Sequence, residues 1–388
     1  MGRTLRRVLG VVGSACLIAL APLSTQAETS SWSVVPSPNS GRTAPGFVPL
    51  YNVLTDVSCI NASDCWAVGY ASFFGLAKTL IEHYDGDAWT VVTSPNPVAT
   101  FVLLSDVSCR ETDDCWAVGN YQLKGSYARY TLIEHFDGSS WSVVPSANVT
   151  DSHAVFNFLN GVTCLAAADC WAAGSWSTNT AAGGTGASLV EHYDGAAWSI
   201  VSTPRRGFFS ELNSIACSRP SDCWAVGDAY LGLLSMAGPS YQSLLAHYDG
   251  QQWTLAASPD PIGSSFIALH DVACSGRSSC WAVGSLATKT RPGSQAVLQR
   301  WNGRSWSVQA TPGLPGLNSI SCLGRSDCWA VGATFAHFNG KAWTKVSTPI
   351  GALGGVSCID SFDCWAVGSV PAIPSGNPIT LVEHFGPG

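Results

Sequence analysis

The chain is poor in charge: of its 388 residues only 12% are Asp, Glu, Lys or Arg, and acidic side chains outnumber basic ones by 26 to 19. An acidic surface of this kind lacks the clustered Lys and Arg that sequence-independent nucleic-acid binding requires. Beyond the first twenty residues no window holds the ~20 apolar residues of a membrane-spanning helix. The low charge excludes a disordered chain and a coiled coil, and the composition excludes collagen. What remains is 46% apolar, with 39 glycines, 16 tryptophans and 15 cysteines, the profile of a large globular β-protein with a substantial core.

The N-terminus reads as a leader. Arg3, Arg6 and Arg7 precede an apolar run from Val8 to Leu20, and Ser24, Thr25, Gln26 and Ala27 supply the small residues of a peptidase site, so residues 1–27 are expected to be a signal peptide cleaved after Ala27. Its removal takes away three arginines and no carboxylate, moving the formal charge from −7 to −10. Cys16 leaves with it. The 14 cysteines that remain are an even number, suited to complete pairing in an oxidising compartment.

Those cysteines fall into seven pairs: Cys59 and Cys65, Cys109 and Cys115, Cys164 and Cys170, Cys217 and Cys223, Cys274 and Cys280, Cys322 and Cys328, Cys358 and Cys364. Each sits in the same repeat, which in its first copy runs Leu54-Thr55-Asp56-Val57-Ser58-Cys59, a short turn, Cys65-Trp66-Ala67-Val68-Gly69, a variable segment, Leu80-Ile81-Glu82-His83-Tyr84-Asp85-Gly86, then Trp89-Thr90-Val91-Val92. First cysteines follow one another at 50, 55, 53, 57, 48 and 36 residues. Periods of this size with short apolar segments signify a propeller or an array.

Each copy reads as four strands of four to seven residues, β-branched or aromatic and bounded by Gly, Pro, Asp and Asn. Asp85-Gly86 is a hairpin turn. Four antiparallel strands repeated seven times predict an all-β, seven-bladed β-propeller occupying residues 28–388. The seventh copy ends at Leu381-Val382-Glu383-His384-Phe385-Gly386 without its tryptophan strand, while residues 31–37 form an orphan strand containing Trp32. Pairing of the two would complete the last blade and close the ring, leaving no open edge.

The step from His83-Tyr84-Asp85-Gly86 to Trp89 resembles that of kelch and related Trp-rich propellers, though the double glycine of kelch is missing. The units from Asp64 to Gly69 and their copies are similar to those of secreted bacterial proteins built from Asp-Cys-Trp-Ala-Val-Gly repeats. This resemblance implies a propeller and carries over no catalytic residue.

Repetition itself argues for structural roles. The cysteine pairs are expected to be disulfides across the first hairpin, each closing a loop worth roughly 2 kcal/mol. Two tryptophans per copy are expected between blades. His83, His135, His192, His247, His337 and His384, with Arg300 in the fifth copy, are expected to be hydrogen-bonded structural residues, because a preceding Glu points to the opposite face of its strand.

Unrepeated chemistry gathers where the long, variable links share one face. That face carries Phe73, Phe74, Tyr121, Tyr127, Trp176, Phe208, Phe209, Tyr230 and Tyr241. The first strands are expected to begin there, ringing the channel mouth with Thr55, Ser105, Asn160, Asn213, His270, Asn318 and Gly354, and then Asp56, Asp106, Gly161, Ser214, Asp271, Ser319 and Gly355. Hard oxygen ligands of this kind would accept calcium, and an enzyme would use Asp271 with His270. Trp176, Tyr121, Tyr127, Tyr230, Tyr241, His270 and Asp271 are thus the candidate ligand-binding residues. The expected protein is secreted and monomeric, and binds a glycan, a cell-wall polymer or an extracellular protein. The alternatives are an extracellular glycoside hydrolase or lyase and a structural matrix component; no cofactor motif is present.

Overall fold

The computed structural model describes residues 1–2, 30–39, 51–73, 75–150, 155–178, 185–233, 239–288, 291–311, 313–346, 351–371 and 377–386. All but two residues of the expected leader, and Phe74, lie outside them. The described residues form 28 strands. The first repeat folds as Tyr51–Asn61, Asp64–Phe73, Leu76–Tyr84 and Trp89–Val92, each strand antiparallel to the one before. The other repeats do the same, and single parallel bridges from Ala77 to Phe101 and from Arg129 to Phe156 join the first three into one sheet. In the last repeat the fourth place is taken by Ser31–Val35, which pairs with Pro378–Gly386 and sets Trp32 opposite Phe385.

The strands are longer than the motif predicts. Ala99–Glu111 has 13 residues, and the second and third strands of most repeats have eight to twelve. Their ladders continue through segments that read as loops, because aromatic residues there stand directly opposite one another, Tyr121 against Tyr130 and Tyr230 against Tyr241. Tyr121, Trp176, Tyr230 and Tyr241 are consequently strand residues, whereas Tyr127 is in the irregular connection between strands.

A bulge shapes every first hairpin. In the first repeat it falls between Leu54 and Asp56 and presses the Val53 carbonyl onto Gly69, where a Cβ would lie 2.0 Å from the oxygen. The glycine after Trp-Ala-Val is therefore a steric requirement. At the other end of the hairpin the cysteines stand opposite each other, and all seven pairs are disulfides with Cα atoms 3.9–4.1 Å apart.

The core lies between repeats. Trp66 meets Trp141 of the second repeat edge-on at 5.4 Å, and the same contact recurs along the chain through Trp281–Trp343 to Trp329–Trp32 and Trp365–Trp89. Edge-to-face pairs of this kind contribute about 0.5–1.5 kcal/mol beyond the area they bury. On its other side Trp66 stacks on His83, whose Nε2 lies 2.8 Å from Asp64 Oδ1. Five further repeats reproduce that bond. In the fifth, Ser279 replaces the aspartate and Arg300 lies over Trp281 instead, so both partners change together.

Candidate functional site

The first strands of successive repeats run side by side around a central cavity of about 100 Å³, lined by Thr55, Asp56, Ser105, Asp106, Asn160, Asn213, Ser214, His270, Asp271, Asn318, Ser319 and Gly354. In the first five repeats these residues lie in mid-strand, not at the first residues that were expected to ring a mouth, because the strands begin four to six positions before Thr55, Ser105, Asn160, Asn213 and His270; in the sixth and seventh the strands begin one and two positions before Asn318 and Gly354. Their side chains reach forward to the next repeat. Thr55 Oγ1 donates to Leu104 O, Asn160 Nδ2 to Leu212 O, Asn213 Nδ2 to Leu269 O, and Asn318 Nδ2 to Leu353 O. His270 makes the same link through Nδ1, 2.8 Å from Leu317 O, which leaves Nε2 to face Ser285 Oγ at 3.3 Å. Burial lowers its pKa and favours the neutral ring.

The carboxylates one position later do similar work. Asp56 Oδ2 accepts from Val107 N, and Asp106 Oδ2 from Val162 N. Asp271 accepts from Ser214 Oγ and Val272 N on one oxygen and from Ser319 Oγ and Ile320 N on the other, tying three repeats together. Four donors fill a carboxylate's acceptor positions, so Asp271 in this arrangement has no free lone pair with which to act as a base for His270 chemistry. Burial raises all three; Asp56 goes well above its ordinary value, driven also by the adjacent Asp106 carboxyl, and Asp106 to about 6. Among the described residues no group of three His, Cys, Asp or Glu side chains is arranged to hold a metal ion.

The candidate aromatics are divided among different seams. Tyr121 stacks on Tyr130 at 5.4 Å beside the core between the first two repeats, and Trp176 packs against the core between the second and third. Tyr127 stands alone, 82% exposed. Tyr230 and Tyr241 come together as part of a row in which neighbouring ring centroids are 5.2–6.4 Å apart: Phe208, Tyr230, Tyr241, Phe266. Phe208 is 58% exposed and Phe266 37%, so the row is open to solvent at both ends.

Two cross-strand pairs along from Phe209 and Tyr230, the fourth repeat sets Glu211 opposite Asp228. Glu211 Oε1 accepts from Asn160 Nδ2 at 2.9 Å and from Ser175 Oγ at 3.3 Å. Asp228 is raised to about 6, first by burial and then by the Glu211 charge, with the Asn213 amide offsetting part of the effect. Sequence reasoning did not bring this pair together, although each residue is an unrepeated acid at a repeated position.

No family model matches the chain, and no curated protein sequence does. Its backbone is similar to solved structures, among them the WD40 β-propeller domain of Doa1, at 10% identity and TM-score 0.51 over 92% of this chain and 97% of that one. An ulvan lyase, crystallised with -[GlcA(1-4)Rha3S]-, aligns at 8% identity and TM-score 0.52 over 87% and 95%. A xyloglucanase from Xanthomonas campestris aligns at 12% and 0.50 over 91% of this chain and 55% of that one. Likeness at these identities is a likeness of fold, and it defines the class: the chain is a β-propeller.

Proposed function

We propose that the protein is a secreted, disulfide-stapled propeller that binds an extracellular glycan on the face carrying the extended second-to-third-strand hairpins. In this reading the seven repeats are seven kelch-like blades, and Ser31–Val35 closes the ring. Residues 1–27 serve as the export leader, and the seven disulfides suit the oxidising space beyond the membrane.

The observation that carries the proposal is the solvent-open row Phe208, Tyr230, Tyr241 and Phe266 beside a polar cavity. Aromatic faces take up the apolar face of a sugar ring, and the amides and hydroxyls at the cavity, Asn160, Asn213 and Ser214, offer partners for its hydroxyls. The blades around it differ in height. In the fourth repeat the second strand runs to Leu233 and the third starts at Pro239, whereas the sixth spans only Cys328–Gly332 and Phe335–Phe338. Beside the short one, Gln295, Thr311, Leu314 and Lys345 line a groove of about 460 Å³, an entry for a long chain.

Affinity electrophoresis through xyloglucan, xylan, mixed-linkage β-glucan, galactomannan and solubilised peptidoglycan, with and without calcium, tests this reading. At least one polymer should retard the mature protein, and Tyr241→Ala should weaken retardation about tenfold without altering thermal stability by more than a few degrees. Retardation by none of them, or retardation indifferent to Tyr241, would remove the proposal.

A further inference from the structure

The repeats supply an internal control for the fourth one. The cross-strand pair one step beyond the recurring bulge and its glycine is Val53 and Tyr70 in the first repeat, Leu103 and Asn120 in the second, Phe158 and Ser175 in the third, Ala268 and Ser285 in the fifth, and Ala352 and Ser369 in the seventh. Only the fourth places two carboxylates there, Glu211 and Asp228. Like charges directly opposite on a sheet destabilise it, and five other copies of the same hairpin fold with neutral pairs, so the fold has no use for this one.

Like the aspartates of the cavity, both residues are half-buried. Glu211 is held by amide and hydroxyl donors from the third repeat, while Asp228 stands two residues from Tyr230 on the same face of its strand. Two carboxyls thus meet at one cross-strand position, with different hydrogen-bond partners, and burial holds the proton on Asp228 above its ordinary value.

We propose that Glu211 and Asp228 are the catalytic pair of a glycoside hydrolase acting on the polysaccharide that lies along the row, an inference that rests on the glycan-binding reading above. A retaining mechanism needs carboxyl groups about 5–5.5 Å apart, and directly opposite positions on neighbouring strands, with Cβ atoms about 5 Å apart, let two acidic side chains reach that separation. Asp228 gives its proton to the glycosidic oxygen as the bond from that oxygen to the anomeric carbon breaks, and a Glu211 oxygen bonds to the same carbon. Water then attacks that carbon, Asp228 takes back a proton from the water, and Glu211 leaves as the carboxylate. The sugar emerges with its original configuration and one water has been consumed.

The test measures reducing ends released by the mature protein from the five polysaccharides named above, with Glu211→Gln and Asp228→Asn in parallel and affinity electrophoresis on the same samples. The expected result is release from a polymer that also retards the protein, at least a 100-fold loss in each variant, retained retardation, and a melting temperature no lower than that of the wild type, since each substitution removes a like-charge pair. A merely structural role would lower the melting temperature instead. Retardation without release, or release that survives both substitutions, overturns the inference and leaves the binding reading standing. Absence of both retardation and release overturns the two together.

Discussion

At the scale of single residues, the seams between repeats hold an unusual set of carboxylic acids. Glu82, Glu134, Glu191 and Glu383 are almost wholly buried, and the first three accept hydrogen bonds from Ser37, Ser94 and Ser146 of the preceding repeat. Burial pushes Glu82 and Glu134 up to about 8, and Glu191 and Glu383 to about 7. The fifth repeat shows what the position accepts, because a fully buried, neutral Gln299 occupies it. A group whose folded pKa is raised contributes stability that is complete below its unfolded value, here about 4.5, and that is lost as pH rises through the folded value. Asp56 and Asp106 act in the same direction. The turn residue Asp137, lowered to about 2 by hydrogen bonds from Ser139 and Ser140, acts in the opposite direction, and only below about pH 4. Thermal stability is therefore expected to fall between pH 5 and pH 8.5. Glu82→Gln should stabilise the protein by at least about 1 kcal/mol at pH 8 and change little at pH 5. Equal destabilisation at both pH values would show that Glu82 is ionised in the fold.

At the scale of elements, much was legible because the repeat states each rule seven times. Cysteines flanking a short turn specify the first hairpin, Trp-Ala-Val-Gly specifies a buried strand ending where the neighbouring backbone leaves no room for a side chain, and Asp-Gly marks the third turn. Strand ends were not legible, since the aromatic and polar segments beyond the motif carry no apolar period. Nor was the acid pair. Counting back from Cys217 opposite Cys223 sets Asp228 against Leu212, and only the bulge between Leu212 and Ser214 moves it opposite Glu211. The N-terminal strand was legible from the missing tryptophan of the last repeat. Trp32 stacks on Phe335 at 4.0 Å and meets Trp329 and Phe385, while Ser37 bonds to both Glu82 and Thr380. One short strand thus touches the first, sixth and seventh repeats. Trp32→Ala is expected to cost about 3 kcal/mol, measured by denaturant unfolding of the mature protein. A cost below about 1 kcal/mol would mean that the strand is not needed to hold those repeats together.

At the scale of the whole molecule, two kinds of residue separate. Those that recur, the seven disulfides, the Trp–His–Asp clusters of six copies and the forward-reaching side chains of most first strands, hold neighbouring repeats together. Those that break the pattern cluster at the fourth and fifth repeats: the row from Phe208 to Phe266, the pair Glu211 and Asp228, and His270 in place of a threonine, serine or asparagine. The first group accounts for how successive repeats of the propeller hold to one another. The second is confined to one part of the molecule, where the proposed glycan site lies.

Amide hydrogen exchange of the mature protein, alone and with the polysaccharide that retards it, tests this division most directly. The account predicts slowed exchange in residues 228–233, 239–243 and 264–270, with the first hairpins of the other repeats unchanged. Slowed exchange confined to the opposite end of the molecule, at turns such as Asp85-Gly86 and Asp249-Gly250, would contradict it.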